Sequence, residues 1–328
     1  MPTSPPLELE APDISPYRAG NTGVDYVTTF DSGRPGPHAM ILTVMHGNEL
    51  CGPIALDFLF RRNVRPRRGK LTFGFANVDA YLRFDPANPG VSRFLDEDMN
   101  RVWEDTLRED PGRTREVRRA KQLQPIIDSV DVLLDIHSMS SPTAPLLICH
   151  GLEKERRLSR KMGFPSFVVC GDGYVPGRRL IEYSLFNDPA NKNTAVVVEC
   201  GRHWAKATAT VAIDTCLHFL RALEMIDSEF FEMHAVAAAP PPQRMLDITD
   251  GLSAKTDQFR WIRPFRGIEE IEKAGTVVGT DGPTELTTPY DHCFLVMPNR
   301  KPAKGGRLVR LAREVGHESK VASQESGV

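Results

Sequence analysis

The sequence has no closely spaced cysteines, no long apolar run and no excess of either charge. Its six cysteines, at positions 51, 149, 170, 200, 216 and 293, stand singly, without a C-x-x-C. This argues against a disulfide framework, and several of them sit in apolar segments, as small core residues do. A reduced, cytoplasmic protein is expected. No apolar stretch approaches the length of a membrane span, so no membrane association is expected. A net charge of −2 gives no electrostatic reason to bind nucleic acid or an anionic bilayer. The one basic cluster, Arg61 to Arg68, follows a predicted helix, where cations suit the negative helix end, and reads as a solvated loop. The opening MPTSPPLELEAPDISP lacks a basic start and an apolar core and is not read as a secretory signal. No internal repeat is visible.

What is present is an ordinary globular balance. The 328 residues, 41% hydrophobic and 26% charged, suffice for one large α/β domain and a smaller one. Residues 1–20 are proline-rich and are expected to form an extended N-terminal segment. Strand patterns occupy 24–30, 40–46, 70–77, 131–137, 145–149, 166–170 and 194–199, with helical patterns over about 49–60, 114–129, 154–162 and 205–226. Apolar strands separated by helices predict an α/β fold over 21–238: a mainly parallel-stranded mixed sheet with helices on both faces. The composition changes at Ala237-Ala-Ala-Pro-Pro-Pro242. Beyond it, short alternating segments broken by Gly and Pro predict a small β-rich C-terminal domain over 243–313, and the polar tail 316–328 is expected to be disordered. Residues 79–103 form a long polar connection, of the kind that is often functional in compact domains.

The strand MILTVM runs into His46-Gly-Asn-Glu49. A histidine and a carboxylate three residues apart, where a strand gives way to a helix, can face one cleft. Imidazole plus carboxylate is a pair that hydrolytic zinc sites use, with a third protein ligand and one position left for water. Alone, H-x-x-E is a weak signal. In an open α/β sheet, however, ligands bind beyond the carboxyl ends of the strands, and His46, Asn77, His137 and Glu199 each fall at such an end. Together they favour a shared site; singly, each also reads as a capping or core polar residue. His137 is the natural third ligand, and Asp135 either orients an imidazole or is a buried structural acid. Glu199 would be the base, or else a partner in a strand-end salt bridge. In the long loop, Arg93 could stabilise an oxyanion, and Asn100 with Arg101 could hold a carboxylate; surface salt bridging is the plainer account. Ser138-Met-Ser-Ser-Pro142 offers hydroxyls to a ligand, or is an ordinary turn.

The motifs HGNE, DMNR, DIH and VECG, in this order, resemble those of the succinylglutamate desuccinylase/aspartoacylase family, deacylases on a zinc carboxypeptidase-like fold. The resemblance covers about residues 40–315. It implies one zinc ion per chain on His46, Glu49 and His137, with Glu199 as the catalytic glutamate. It further implies that Arg93 polarises the scissile carbonyl and that Asn100 and Arg101 contact the substrate. Thr288-Pro-Tyr290-Asp291 and Leu295-Val-Met-Pro298 would belong to a second domain that narrows access to the site. Two departures stand out. Cys-Gly-Arg-His-Trp follows Glu199 where aspartoacylase-like members tend to have a Gly-Pro turn. No arginine stands about ten residues before Glu199, where aspartoacylase has a further substrate-carboxylate contact; Arg178 and Arg179 are the candidates to replace it. The expected activity is zinc-dependent hydrolysis of the amide bond of an N-acyl amino acid or a similar small N-acyl compound. A metallocarboxypeptidase acting on small peptides and a non-catalytic small-molecule binding protein on the same fold are the alternatives. The expected partner is the small-molecule substrate, with homo-oligomerisation left open.

Overall fold

A strand whose successive side chains are all apolar must be covered on both faces. The structure, a computed structural model, describes residues 6–171, 177–236, 239–300 and 302–315. The tail expected to be disordered, 316–328, lies outside the described residues, as do residues 1–5 of the N-terminal segment. The strands are β1 (Val27–Asp31), β2 (His38–Thr43), β3 (Lys70–Phe75), β4 (Val132–Met139), β5 (Leu146–Cys149), β6 (Phe167–Cys170) and β7 (Thr194–Arg202). They continue as β8 (Arg244–Ser253), β9 (Phe259–Trp261), β10 (Ile268–Ile271), β11 (Val277–Asp281), β12 (Thr284–Thr287), β13 (Cys293–Val296) and β14 (Arg307–Glu314). The helices are α1 (Cys51–Arg61), α2 (Val78–Tyr81), α3 (Arg115–Ile127), α4 (Glu153–Met162), α5 (Lys206–Ala222) and α6 (Ser228–His234).

The alternation of the central strands splits the core in two. Ala39 and Ile41 of β2, Leu134 and Ile136 of β4, and Val196 and Val198 of β7 pack on one face with residues of α1, α4 and α5. Met40 and Leu42, Leu133, and Ala195 and Val197 point to the other face and pack with Val117, Ala120 and Leu123 of α3. The proline-rich start contributes to the first of these clusters, because Leu9 and Ile14 are buried in it.

Eleven strands form one sheet in the order β1-β3-β2-β4-β7-β5-β6-β8-β14-β13-β10, and β12-β11-β9 form a small second sheet. The whole sheet is more evenly mixed than its part within residues 21–238, where four of the six strand pairs are parallel. The pairs β2–β3, β2–β4, β4–β7, β5–β6 and β6–β8 are parallel. The pairs β1–β3, β5–β7, β8–β14, β13–β14 and β10–β13 are antiparallel, so the sheet is evenly mixed. The link between Met139 and Leu146 is too short for a parallel crossover, and β5 returns antiparallel beside β7. The alternating segments after 243 also join the large sheet, through the parallel pairing of β8 with β6. Their strands carry an apolar cluster of their own, including Phe265, Ile271, Val278, Leu295 and Leu308.

Two predicted elements end early. β2 stops at Thr43 rather than His46, and α1 begins at Cys51, so Glu49 precedes the helix. The helix expected to run to 226 stops at Ala222; Glu224 has φ 60°, and Asp227 caps a new helix, accepting from Phe230 N at 2.8 Å. Among the described residues no helix is long and apolar enough to cross a membrane. All six cysteines are buried and free.

Candidate active site

Val44 adopts φ 62°, a left-handed conformation that a β-branched residue rarely takes. It ends the β2 ladder and turns the chain over the sheet edge. Such outliers persist where surrounding structure holds them, often at functional sites. Three residues on, Gly47 passes so close to the chain that a Cβ there would meet backbone atoms of Ala80, Ser92 and Tyr81 at 2.4–2.5 Å. No other residue fits, and Gly47 N donates to Arg93 O at 3.0 Å. The turn after β2 is thereby stitched to the long loop. On the neighbouring strands, His137 of β4 pairs in register with Glu199 of β7.

The long loop is positioned by a buried carboxylate. Glu116, in the first turn of α3, accepts from the backbone N–H groups of Leu95 at 2.6 Å and Asp96 at 3.1 Å. The same side chain accepts from Asn77 Nδ2 at 3.2 Å. This anchor brings Arg93 and Asp98 over His46.

Glu49 is the centre of the arrangement. Its Oε1 lies 2.9 Å from His46 Nδ1 and its Oε2 lies 3.1 Å from His137 Nδ1. The far nitrogen of each imidazole is held by an aspartate. His137 Nε2 donates to Asp135 Oδ2 at 2.8 Å, and His46 Nε2 donates to Asp98 Oδ1 at 2.9 Å. Both rings are therefore fixed with Nδ1 facing the same carboxylate, the arrangement by which outer carboxylates orient ligating histidines. His46, Glu49 and His137 are all buried, and their ligand atoms lie within 4.8 Å of one another. Two neutral imidazole nitrogens and a carboxylate oxygen suit a divalent cation such as zinc.

Burial pushes the Glu49 carboxyl up, but the two histidines outweigh it and hold it well below the usual range. Burial likewise opposes charge on His137, yet Asp135 and Glu49 raise it well above an ordinary histidine. Burial also works against the Asp98 carboxylate, which His46 and Arg93 still bring well below its ordinary value. Arg93 crowds the same corner, with Nη2 3.0 Å from His46 Nε2 and Nη1 3.4 Å from Glu49 Oε1. Glu199 differs from all of these. Its Oε2 is buried with no hydrogen-bond partner among the described residues, and burial pushes its carboxyl up to about 8, against the pull of His137 and Arg93.

His46, Glu49, Arg93, His137 and Glu199 line a cavity of about 610 Å³ that also takes in Asn100, Arg101, Ser138 and Arg179, and reaches Met297, Pro298 and Arg310 of the C-terminal part. All seven site residues expected from the sequence are at its wall. Asn77, the fourth strand-end residue, is not. β3 lies on the side of β2 away from β4 and β7, and Asn77 turns to Glu116 instead. Of the two C-terminal segments, only Leu295–Pro298 reaches the cavity; Tyr290 hydrogen-bonds Thr249 Oγ1 elsewhere. Arg178 pairs with Asp105 at 2.6 Å on the surface, whereas Arg179 reaches the cavity while bound to Glu182 Oε1 at 2.6 Å. The SMSSP segment lies along the wall, with Ser138 Oγ 2.7 Å from His203 Nδ1 and Ser138 N donating to Glu49 Oε2. A second cleft, of about 600 Å³ beside α3, is lined by Arg18, Asp79 and Arg119 among others and contains no histidine.

Sequence reasoning missed three residues at this site. Asp98 was legible as part of DMNR, but its bond to His46 was not. His203 sits in the CGRHW segment, where burial lowers its imidazole to about 4 and so keeps it neutral. Arg310 carried one signal, a lone charge inside the apolar run LVRLA.

Residues 35–166 match the family model described as the succinylglutamate desuccinylase/aspartoacylase catalytic domain. That segment is similar to the catalytic domain of this family. Members of the family are deacylases, and the matched segment contains His46, Glu49, Arg93, Asn100, Arg101 and His137. Glu199 and the strands from β6 onward lie beyond it. Among curated proteins none matches the sequence. Solved structures share the fold of nearly the whole chain. A succinylglutamate desuccinylase from Vibrio parahaemolyticus is 17% identical, covering 88% of this chain and 86% of its own, with a TM-score of 0.63. An aspartoacylase family protein from Mesorhizobium loti is 19% identical over 88% of each chain, with a TM-score of 0.61. The ectoine utilization protein EutE (DoeB) from Ruegeria pomeroyi, solved with its product bound, is 14% identical over 89% of this chain and 92% of its own, with a TM-score of 0.62.

Proposed function

We propose that the protein is a zinc-dependent amidohydrolase that removes the acyl group from an N-acyl amino acid or a similar small N-acyl compound. The observation that carries the reading is the pairing of a buried His46–Glu49–His137 donor set with Glu199, which lines the same cavity and whose buried Oε2 has no hydrogen-bond partner among the described residues. His46, Glu49 and His137 would hold one ion per chain. Such an ion, when bound, supplies Lewis-acid polarisation and makes water more acidic.

The chain's own residues do the rest. Glu199 takes a proton from the attacking water and returns it to the departing nitrogen. Arg93 donates to the carbonyl oxygen as negative charge develops there. Asn100 and Arg101 hold a substrate carboxylate: Asn100 Oδ1 is occupied by Leu180 N at 3.0 Å, which fixes its amide, while the Arg101 guanidinium forms no ion pair among the described residues. A cavity of this volume suits a small ligand. We assign residues 21–238 to the catalytic unit and 243–313 to a β-rich unit that walls the cavity, a division supported by the separate apolar cluster of the later strands. The free cysteines support a cytoplasmic setting.

Metal analysis of the purified protein, followed by a deacylation screen against N-acylated amino acids and small peptides, tests the reading. Bound zinc with turnover of acyl amino acids is the expected result. Absence of turnover across the panel by zinc-loaded protein would overturn it, and peptide cleavage alone would favour a carboxypeptidase.

A further inference from the structure

β14 places an arginine where its neighbours are apolar. Leu308, Val309, Leu311 and Ala312 are all buried, so both faces of the strand are covered. Arg310 is half-buried among them and lines the cavity with Glu199, Arg101 and Arg179. Its register, opposite Val296 of β13 and Gly251 of β8, fixes its base between two paired strands.

The partners available to it are poor. Nη1 donates to Met297 Sδ at 3.3 Å, a weak acceptor. Among the described residues it forms no ion pair, unlike Arg93 with Glu49 and Asp98, or Arg179 with Glu182. Burial pushes its guanidinium down to about 10, with Arg307 and Arg179 adding to the effect and Glu199 opposing it. An ionised group taken from water without a partner is costly. A guanidinium presents a fork that matches a carboxylate.

We infer that Arg310 is a substrate-binding residue that receives a second carboxylate of the N-acyl substrate, one not held by Asn100 and Arg101. The inference rests on the deacylase reading of the cavity and adds to it a requirement for substrate charge at the β14 wall. The second carboxylate sits on the amino-acid side chain or on the acyl group, and the two sources are separable.

The test uses pairs of near-equal shape that differ by one charge. N-acetylglutamate against N-acetylglutamine places the second carboxylate on the side chain; N-succinylglycine against N-butyrylglycine places it on the acyl group. The zinc-loaded wild type is expected to favour the charged member of one pair by about 100-fold in kcat/KM, the scale of losing one partner of a buried charge pair. The pair that shows the preference names the source. Arg310→Met should reduce that preference to within a few-fold, mainly through KM. Arg310→Lys, which keeps the charge without the fork, should retain an intermediate ratio and serves where the methionine variant fails to fold. Wild-type preference unchanged in the folded variants overturns the inference, as does the absence of any charge preference in the wild type. Calorimetric binding of glutamate and succinate to the same proteins reads Arg310 independently of turnover. Loss of this binding in Arg310→Met, without wild-type turnover of any pair, would reject the deacylase reading and keep the anion site; no binding to either protein rejects the site.

Discussion

At the ends of β2 and β4 each charged or chargeable side chain is answered by another. His46 has Glu49 and Asp98, and His137 has Glu49 and Asp135. On the rest of the cavity wall the opposite holds among the described residues: Glu199 Oε2 has no partner, and Arg101 and Arg310 are bound only by a backbone carbonyl and a thioether. The first group is assembled in advance, which would suit it to hold the proposed cation in one geometry. The second is completed by whatever enters. The same cavity thus separates residues that build the site from residues that read its contents, and this division can be broken experimentally.

The largest effects belong to the point where the two groups meet. Glu199→Gln should lower kcat by about 10³-fold with zinc content unchanged, whereas His137→Ala should lose both metal and activity. Metal analysis beside an activity assay checks the pair; an active Glu199→Gln protein would remove the base. The same variant has a stability signature. The folded-state pKa of Glu199, about 8, lies above the ordinary 4.5. The folded chain therefore keeps a proton that the unfolded chain has released. That contribution is full below about pH 4.5 and is lost as pH rises through 8. In the presence of chelator, urea denaturation should show wild type losing stability relative to Glu199→Gln between pH 5 and 8.

The next effect tests whether the two aspartates are equivalent. Asp98→Asn and Asp135→Asn should each weaken zinc binding by about 10–100-fold, measured by competition with a chromogenic chelator. An unaltered affinity in Asp98→Asn would confine the orienting role to β4. Smaller again is the consequence of disturbing the seam between the two regions. A Cβ on Gly267 would meet Thr143 Oγ1 at 1.6 Å, so Gly267→Ala should destabilise the fold by about 1–3 kcal/mol, read as a lower Tm. The smallest is Arg178→Ala. Its partners Glu104 and Asp105 lie on the surface, and less than about 1 kcal/mol of stability and no change in kcat/KM are expected.

The same division explains how far the sequence could be read. His46, Glu49 and His137 sit in short motifs at the ends of apolar strands, where local pattern and sheet geometry agree. Glu199 follows from the same rule, since β7 lies directly beside β4. Asn77 obeys the local pattern and fails because strand order, not strand pattern, decides which ends are neighbours. The reversal of β5 and the joining of β8 to β6 are likewise pairings between distant segments that no local signal encodes. Asp98 and Arg310 depend on two long-range facts: the Glu116 anchor that folds the loop inward, and the register that places β14 against β13 and β8. Arg178 and Arg179, adjacent in sequence, part company because an isolated bridge between Val102 and Arg178 sends successive side chains to opposite sides.

The ladder between β6 and β8 has a mechanical consequence. Four paired residues, Phe167 with Arg244 through Cys170 with Asp247, tie the last strands to the first by backbone hydrogen bonds within one sheet. The β14 wall cannot swing away on a hinge without unzipping that seam. Admission of a ligand must then fall to side chains and loops at the cavity mouth, and grafting the terminal strands of a relative onto this chain would succeed only where this seam is kept in register.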